Sequence, residues 1–179
     1  KKFKNHFNIE KTFGKSHLFY RISDGSYAKD KPNYISKKTC LKNCYRVFRN
    51  TEIHLIADNV LDETWSWIDI QFPHIKKERT LFGNGAASFN HALTIALKLP
   101  LNDIIYFVED DYLHRENSLS VLKEGIMLGA DYVTLYDHPD KYLDTDNPFV
   151  DKDGEVTKVF LTKSCHWKMT SSTTMTFSS

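Results

Sequence analysis

Apolar residues along this chain fall into blocks whose spacing switches between that of a strand and that of a helix, the pattern of alternating β and α elements. His17-Leu18-Phe19-Tyr20-Arg21-Ile22 reads as a first strand, closed by the turn formers Ser23-Asp24-Gly25-Ser26. Ser36 then caps a helical pattern that puts Leu41, Cys44, Tyr45 and Phe48 on one face. A second strand, 53–57, ends at Asp58-Asn59, and a short helix follows through Trp65, Trp67 and Ile68. The stretch from Lys76 to Leu81 is polar and extended. Phe82-Gly83-Asn84-Gly85 is a tight glycine turn that opens a helix from Ala86 to Lys98, with Ala92, Leu93, Ala96 and Leu97 expected inward. Ile104-Ile105-Tyr106-Phe107-Val108 is the most apolar run and is expected to lie in the middle of a parallel sheet, buried on both faces. It ends abruptly in Glu109-Asp110-Asp111. A helix (Glu116 to Met127), a strand (Tyr132 to Tyr136), a hairpin turn at Asp153-Gly154 and an extended stretch from Thr157 to Phe177 complete the pattern.

This alternation predicts an α/β fold: a mainly parallel central sheet with helices on both faces and an extended, antiparallel C-terminal part. No repeat or Gly/Ser-rich linker interrupts it, which predicts a flexible lead over 1–16 and a single domain over 17–179. In open parallel sheets ligands sit beyond the carboxyl ends of the strands. Ser23-Asp24, Asp58-Asn59 and Glu109-Asp110-Asp111 are therefore expected to converge on one edge.

Composition narrows the classes. The 179 residues suit one core, and 41% hydrophobic with 26% charged residues is ordinary for a globular domain. Lys+Arg (24) and Asp+Glu (23) leave a net charge of +1, so no bulk field recruits nucleic acid or an anionic membrane. No apolar run reaches the roughly 20 residues of a membrane span. Three cysteines, an odd number, argue for a reducing, cytoplasmic compartment. Cys40 and Cys44 stand one helical turn apart without a second Cys/His pair, and read as buried thiols rather than zinc ligands. The opening Lys1 and the stop at Ser179, straight after a strand-like run, are expected of a piece of a longer protein.

The candidate chemistry centres on the acidic triplet. Three carboxylates at the end of a buried strand repel one another unless a cation sits among them. Hard oxygen ligands suit Mg²⁺ or Mn²⁺, which commonly take one or two carboxylates plus substrate phosphates. Were the segment to stay extended, Glu109 and Asp111 would point the same way, towards the ion, and Asp110 the other way, towards a ribose hydroxyl or a structural amide. A purely structural acidic cluster before the next helix is the competing reading. The run Asn84-Gly85-Ala86-Ala87-Ser88 lets backbone approach a ligand and presents helix N–H groups to an anion. It matches neither the GxGxxG of dinucleotide folds nor a P-loop. Asp58 is placed to accept from a base or ribose, or simply to make a turn, and Arg21 and Ser23 are further phosphate or base candidates. His166 is either a structural histidine or a late contributor to a metal shell, and Tyr136 to Tyr142 is either an acceptor pocket or a capped loop.

Taken in order, Ala57-Asp58-Asn59, then Gly85-Ala86-Ala87-Ser88-Phe89-Asn90-His91-Ala92-Leu93, then Tyr106-Phe107-Val108-Glu109-Asp110-Asp111-Tyr112 resemble the nucleotide-binding half of GT-A-fold glycosyltransferases of the family 2 type. The stretch from Phe19 to Phe177 also resembles a set of glycosyltransferase-like proteins of bacteria and large viruses, through Tyr20-Arg21-Ile22-Ser23-Asp24, Phe107 to His114, Thr134 to Tyr142 and His166-Trp167-Lys168. The resemblance implies that Asp58 takes the base, Asp110 or Glu109 the ribose, and Asp111 the metal. It implies transfer of a sugar from a nucleotide-diphosphate donor, expected to be a UDP-sugar, to a glycan or other hydroxyl acceptor. Two departures stand out. Asn84 occupies the place of an arginine found near the phosphates in some members. The acidic base of inverting members falls by its spacing beyond Ser179, which leaves Asp137 and Asp140 as the candidates within the chain. A nucleotidyltransferase and a catalytically silent GT-A-like binding module are the alternative readings. The first is weakened because Ser23-Asp24-Gly25-Ser26-Tyr27 is not the Gly-rich, basic loop it requires.

Overall fold

A computed structural model describes residues 13–25, 32–128 and 132–136, together with the backbone of strands at 158–161, 166–169 and 174–178. Most of the expected lead and the Asp153-Gly154 turn lie outside the described residues. The chain divides into two compact units, residues 1–114 and 115–179.

The first unit runs β1 (Ser16–Ser23), α1 (Lys37–Val47), β2 (Glu52–Asp58), α2 (Asp62–Gln71), β3 (Lys76–Thr80), α3 (Gly85–Ala96) and β4 (Ile104–Glu109). Its sheet has the order β3-β2-β1-β4, and every pair is parallel. Helices cover both faces. Phe19 and Ile56 pack with Ala92 and Ala96 of α3 on one face. On the other, Phe48 at the end of α1 stacks near Tyr106 with ring centres 5.5 Å apart, and Tyr45 meets Phe72 at the end of α2. α1 starts where Ser36 accepts a hydrogen bond from the Thr39 amide, as the cap pattern requires.

Two expectations about packing are corrected. β4, not β1, was expected at the centre of the sheet. Instead β1 has a strand on each side and a helix layer on each face, and Leu18, Phe19 and Tyr20 are fully buried. Among the described residues β4 pairs only with β1, and its Ile105, Tyr106 and Phe107 are half-buried. A run of apolar residues reports helices on its faces, and carries no information about strands on its edges. Likewise Leu93 and Leu97, both expected inward, are exposed (36% and 77%), because the inward row of α3 is Ser88, Ala92 and Ala96 at four-residue spacing and the two leucines lie beside it. Small residues along that row let the helix sit close to Phe19.

The second unit contains α4 (Ser118–Met127), which packs on β5 (Tyr132–Thr134) and β8 (Thr174–Ser178). With β6 (Lys158–Leu161) and β7 (His166–Met169) these strands form a sheet of order β5-β8-β7-β6. β5 and β8 run parallel and the other pairs are antiparallel.

Replacing Phe19 with Ala is expected to cost about 3–5 kcal/mol in urea denaturation, whereas Leu97→Ala should stay within about 0.5 kcal/mol. Equal costs would contradict the packing of α3 described here.

Candidate functional site

From β1 the chain steps outward to β2 and β3, then crosses back to place β4 on the opposite side of β1. The gap between the carboxyl ends of β1 and β4 is therefore the switch point of the sheet, where open parallel sheets bind ligands. The register pairs Arg21 with Glu109 across this gap, and Ser23 with Asp58 on the other side of β1.

Arg21 organises one face of the edge. Its guanidinium donates to the Gly85 carbonyl at 2.6 Å and to the Glu109 carboxylate, and lies 5.4 Å from the centre of the Phe89 ring. It thus joins β1, β4 and the first turn of α3. On the opposite face the Ser23 amide donates to Asp110 Oδ2 at 3.1 Å. The expected alternation of the triplet does not survive past Glu109, because the strand ends there and Asp110 and Asp111 form a turn. Both aspartates are half-buried and close enough to Tyr20 for their charges to act on its hydroxyl, while Glu109 is turned to Arg21. The three like charges are thereby separated onto two sides of the strand, and one of them is neutralised by arginine.

Tyr20 is fully buried, and its hydroxyl has no hydrogen-bond partner among the described residues. Burial pushes its ionisation far up, followed by the thiol of Cys44 and the charge of Asp110, then Cys40 and Asp111, so it stays a neutral phenol. An unsatisfied buried hydroxyl costs roughly 1–3 kcal/mol. It stands beside the two aspartates.

Asp58 is 3% exposed and shapes the turn into α3. Its Oδ1 accepts from Thr80 Oγ1 at 3.0 Å and the Phe82 amide at 2.7 Å, and its Oδ2 from the Gly83 amide at 3.2 Å. Gly83 has φ +69°, a left-handed conformation that favours glycine. Asn84 caps α3 by accepting from the Ala87 amide at 2.8 Å, and Ser88 is buried on the inward side of the helix. Asp24 accepts from the Leu61 amide at 2.8 Å and from Lys37 at 3.0 Å. Burial raises its pKa, but the Leu61 amide, Thr64 and Lys37 outweigh that and hold it below the ordinary value.

The chain beyond the acidic turn is fixed by a contact the sequence pattern did not signal. Asn43 of α1 donates to the His114 carbonyl at 3.0 Å and accepts from the His114 amide at 2.6 Å. The His114 ring meets the Tyr106 hydroxyl at 3.1 Å and the edge of Phe48, and burial pulls its pKa down to about 4. The acidic turn is thus held by Ser23 on one side and by Asn43 on the other.

Of the residues expected at the site, Arg21, Ser23, Gly85, Glu109 and Asp110 are linked directly, Asp111 adjoins them, and Asp58 and Asn84 build the neighbouring turn. Asp137 and Asp140 lie outside the described residues, and His166 is described only as backbone of β7. A second cluster, at the opposite edge of the sheet, was not anticipated: His17, Glu52 and His54. The alternation Glu52-Ile53-His54, which sets two ligand-type side chains on one face of a strand, was the available signal. Comparison of the chain with protein-family models, with curated proteins and with solved structures finds no match. What the fold establishes is an α/β protein with a four-stranded, all-parallel sheet of Rossmann-like order. No helix among the described residues is long and apolar enough to cross a membrane.

His114 makes stability depend on pH. Its pKa is depressed from about 6.5 unfolded to about 4 folded, so the unfolded chain binds the extra proton first as pH falls. Stability is expected to be full above pH 6.5 and to fall by of the order of 3 kcal/mol as pH drops towards 4. His54, also depressed, adds to the same slope. Urea midpoints measured from pH 7 to pH 4.5 should show this decline, and His114→Gln, which keeps a donor for Tyr106, should flatten it.

Proposed function

We propose that this chain is the donor-binding part of a metal-dependent glycosyltransferase of GT-A type, which moves a sugar from a nucleotide-diphosphate donor, a UDP-sugar, to a glycan or other hydroxyl acceptor. The observation that carries the reading is the meeting of Arg21, Glu109, Asp110 and Asp111 at the switch point between β1 and β4, the ligand-binding position of this architecture. Asp111, with Asp110 beside it, is proposed to hold Mn²⁺ or Mg²⁺, whose preference for oxygen ligands fits two half-buried carboxylates. The Tyr20 hydroxyl, without a hydrogen-bond partner among the described residues, supports this, since a donor buried beside two carboxylates is suited to orienting one of them. When bound, such a cation neutralises the diphosphate as a leaving group.

The chain's own residues have distinct parts in this proposal. Arg21 positions Glu109 and the amino end of α3 rather than contacting phosphate, because its guanidinium already bridges Gly85 and Glu109. Glu109 and Asp110 are the proposed ribose contacts. Asp58, buried and bonded to Thr80, Phe82 and Gly83, serves the site by fixing the turn on which α3 begins, next to where a base would lie. If transfer inverts the anomeric centre, Asp137, Asp140 or a carboxylate outside this chain deprotonates the acceptor.

Isothermal calorimetry of the chain with UDP, with and without Mn²⁺, tests the reading. Binding is expected only with the cation, and Asp111→Asn should weaken it at least tenfold. Tyr20→Phe should gain about 1 kcal/mol of stability in metal-free protein while losing cation-dependent nucleotide affinity. Absence of binding to any nucleotide, or binding indifferent to Asp110 and Asp111, would leave a silent module of this fold. A preference for nucleoside triphosphates over UDP would favour nucleotidyl transfer.

A further inference from the structure

The edge of the sheet away from the acidic turn carries a second constellation. His17 lies at the start of β1, paired in register with Glu52 at the start of β2. Glu52 and His54 are two residues apart, so both face the same side of that strand. His17 is 3% exposed, and Glu52 and His54 are half-buried. The three ligand atoms lie within 4.8 Å of one another. His17 Nδ1 is 3.3 Å from His54 Nε2 and 3.7 Å from Glu52 Oε2. Two nitrogens bound at about 2.05 Å to a tetrahedral ion stand roughly 3.3 Å apart, so the imidazole pair already has the spacing of ligands to one ion.

The rings are also fixed from behind. Asp103, with its side chain 5% exposed, accepts the Lys15 amide on Oδ1 at 2.8 Å and meets His17 Nε2 through Oδ2 at 2.9 Å. In the neutral tautomer that donates from Nε2 to this carboxylate, Nδ1 presents its lone pair towards His54 and Glu52. This carboxylate–imidazole arrangement is the outer partner that metal-binding histidines use to set tautomer and orientation. Gly14 makes room for it, because a Cβ there would stand 2.0 Å from Asp103 Oδ1. His54 is held by stacking on Phe19, with ring centres 4.6 Å apart and planes 12° from parallel.

We propose that His17 Nδ1, His54 Nε2 and a Glu52 oxygen form a binding site for a divalent transition metal, zinc, with Asp103 orienting His17. Two imidazoles and one carboxylate suit zinc and are too nitrogen-rich for Mg²⁺. Lys15 and Lys76 share Glu52 in the metal-free arrangement, at 2.7 and 3.3 Å. Both lysines are largely exposed, so Lys76 swings away from Oε2 at little cost when the ion takes that oxygen. The bound ion cross-links the amino ends of β1 and β2 and, through Asp103, the turn before β4. The site is independent of the donor site proposed above.

The test uses the whole chain, stripped with a chelator and dialysed. Titration with ZnCl₂ against a chromophoric competitor is expected to give one zinc per chain at micromolar affinity or tighter. The melting temperature should rise by roughly 5–10 °C at a hundredfold excess over Kd, with no response at this site to Mg²⁺. His17→Ala removes a buried ligand and endangers folding, so the decisive variants are the more accessible His54→Gln and Glu52→Gln. Each, checked as folded by near-UV circular dichroism, should lose at least tenfold in zinc affinity. Asp103→Asn should lose about 10- to 100-fold. Asp111→Asn should leave zinc affinity unchanged. A wild-type chain that takes up no zinc overturns the proposal. So does zinc uptake that persists in His54→Gln and Glu52→Gln, or that disappears in Asp111→Asn.

Discussion

The first unit depends on the burial of β1. Its flanking strands satisfy its backbone from both edges, and helices exclude water from both of its faces. A strand enclosed in this way has no slack in register, because a one-residue slip would exchange Phe19, packed on α3, with Tyr20, packed under α1. Everything at the two ends of the sheet inherits that registration. Arg21 meets Glu109 and Ser23 meets Asp110 at one end because His17 meets Glu52 at the other.

The same constraint accounts for how acidic residues are accommodated at the rim. A strand leaving a buried position delivers successive side chains to opposite faces, and the turn then breaks the alternation. Glu109 is delivered to arginine, while Asp110 receives a backbone amide. Electrostatic relief is therefore partly built into the protein.

Much of the fold could be read directly from the pattern of residue types. Strand and helix positions through α4 follow from spacing and from caps such as Ser36, because those signals are local. The order of strands could not be read, since the apolar character of Ile104 to Val108 and of Leu18 to Tyr20 is alike and pairing is a long-range property. Leu93 and Leu97 are exposed against expectation because the face turned to the sheet is the small-residue row Ser88, Ala92 and Ala96, and hydrophobicity alone points to the leucines beside it. The convergence of Arg21, Ser23 and the acidic triplet was legible, as it needs only parallel strands and their ends. Asp58 was legible as the residue that ends β2 at the carboxyl edge of the sheet but not as the acceptor of three hydrogen bonds, which depends on how the Thr80–Gly83 segment folds back over it. His17, Glu52 with His54, and Asp103 come from three separate parts of the sequence, and beyond the Glu52-Ile53-His54 alternation no local pattern joins them.

The Asn43–His114 pairing has a further meaning for how the layers are connected. Its side-chain amide offers one donor and one acceptor in the geometry of a peptide group, and His114 answers with both of its own backbone groups. A helix normally has no backbone hydrogen bonds to spare for its surroundings. Through this one side chain α1 offers His114 what a neighbouring strand would. The chain leaving Asp110 and Asp111 is thereby anchored to the helix layer three residues further on, at a peptide-like pairing that needs no strand beside it.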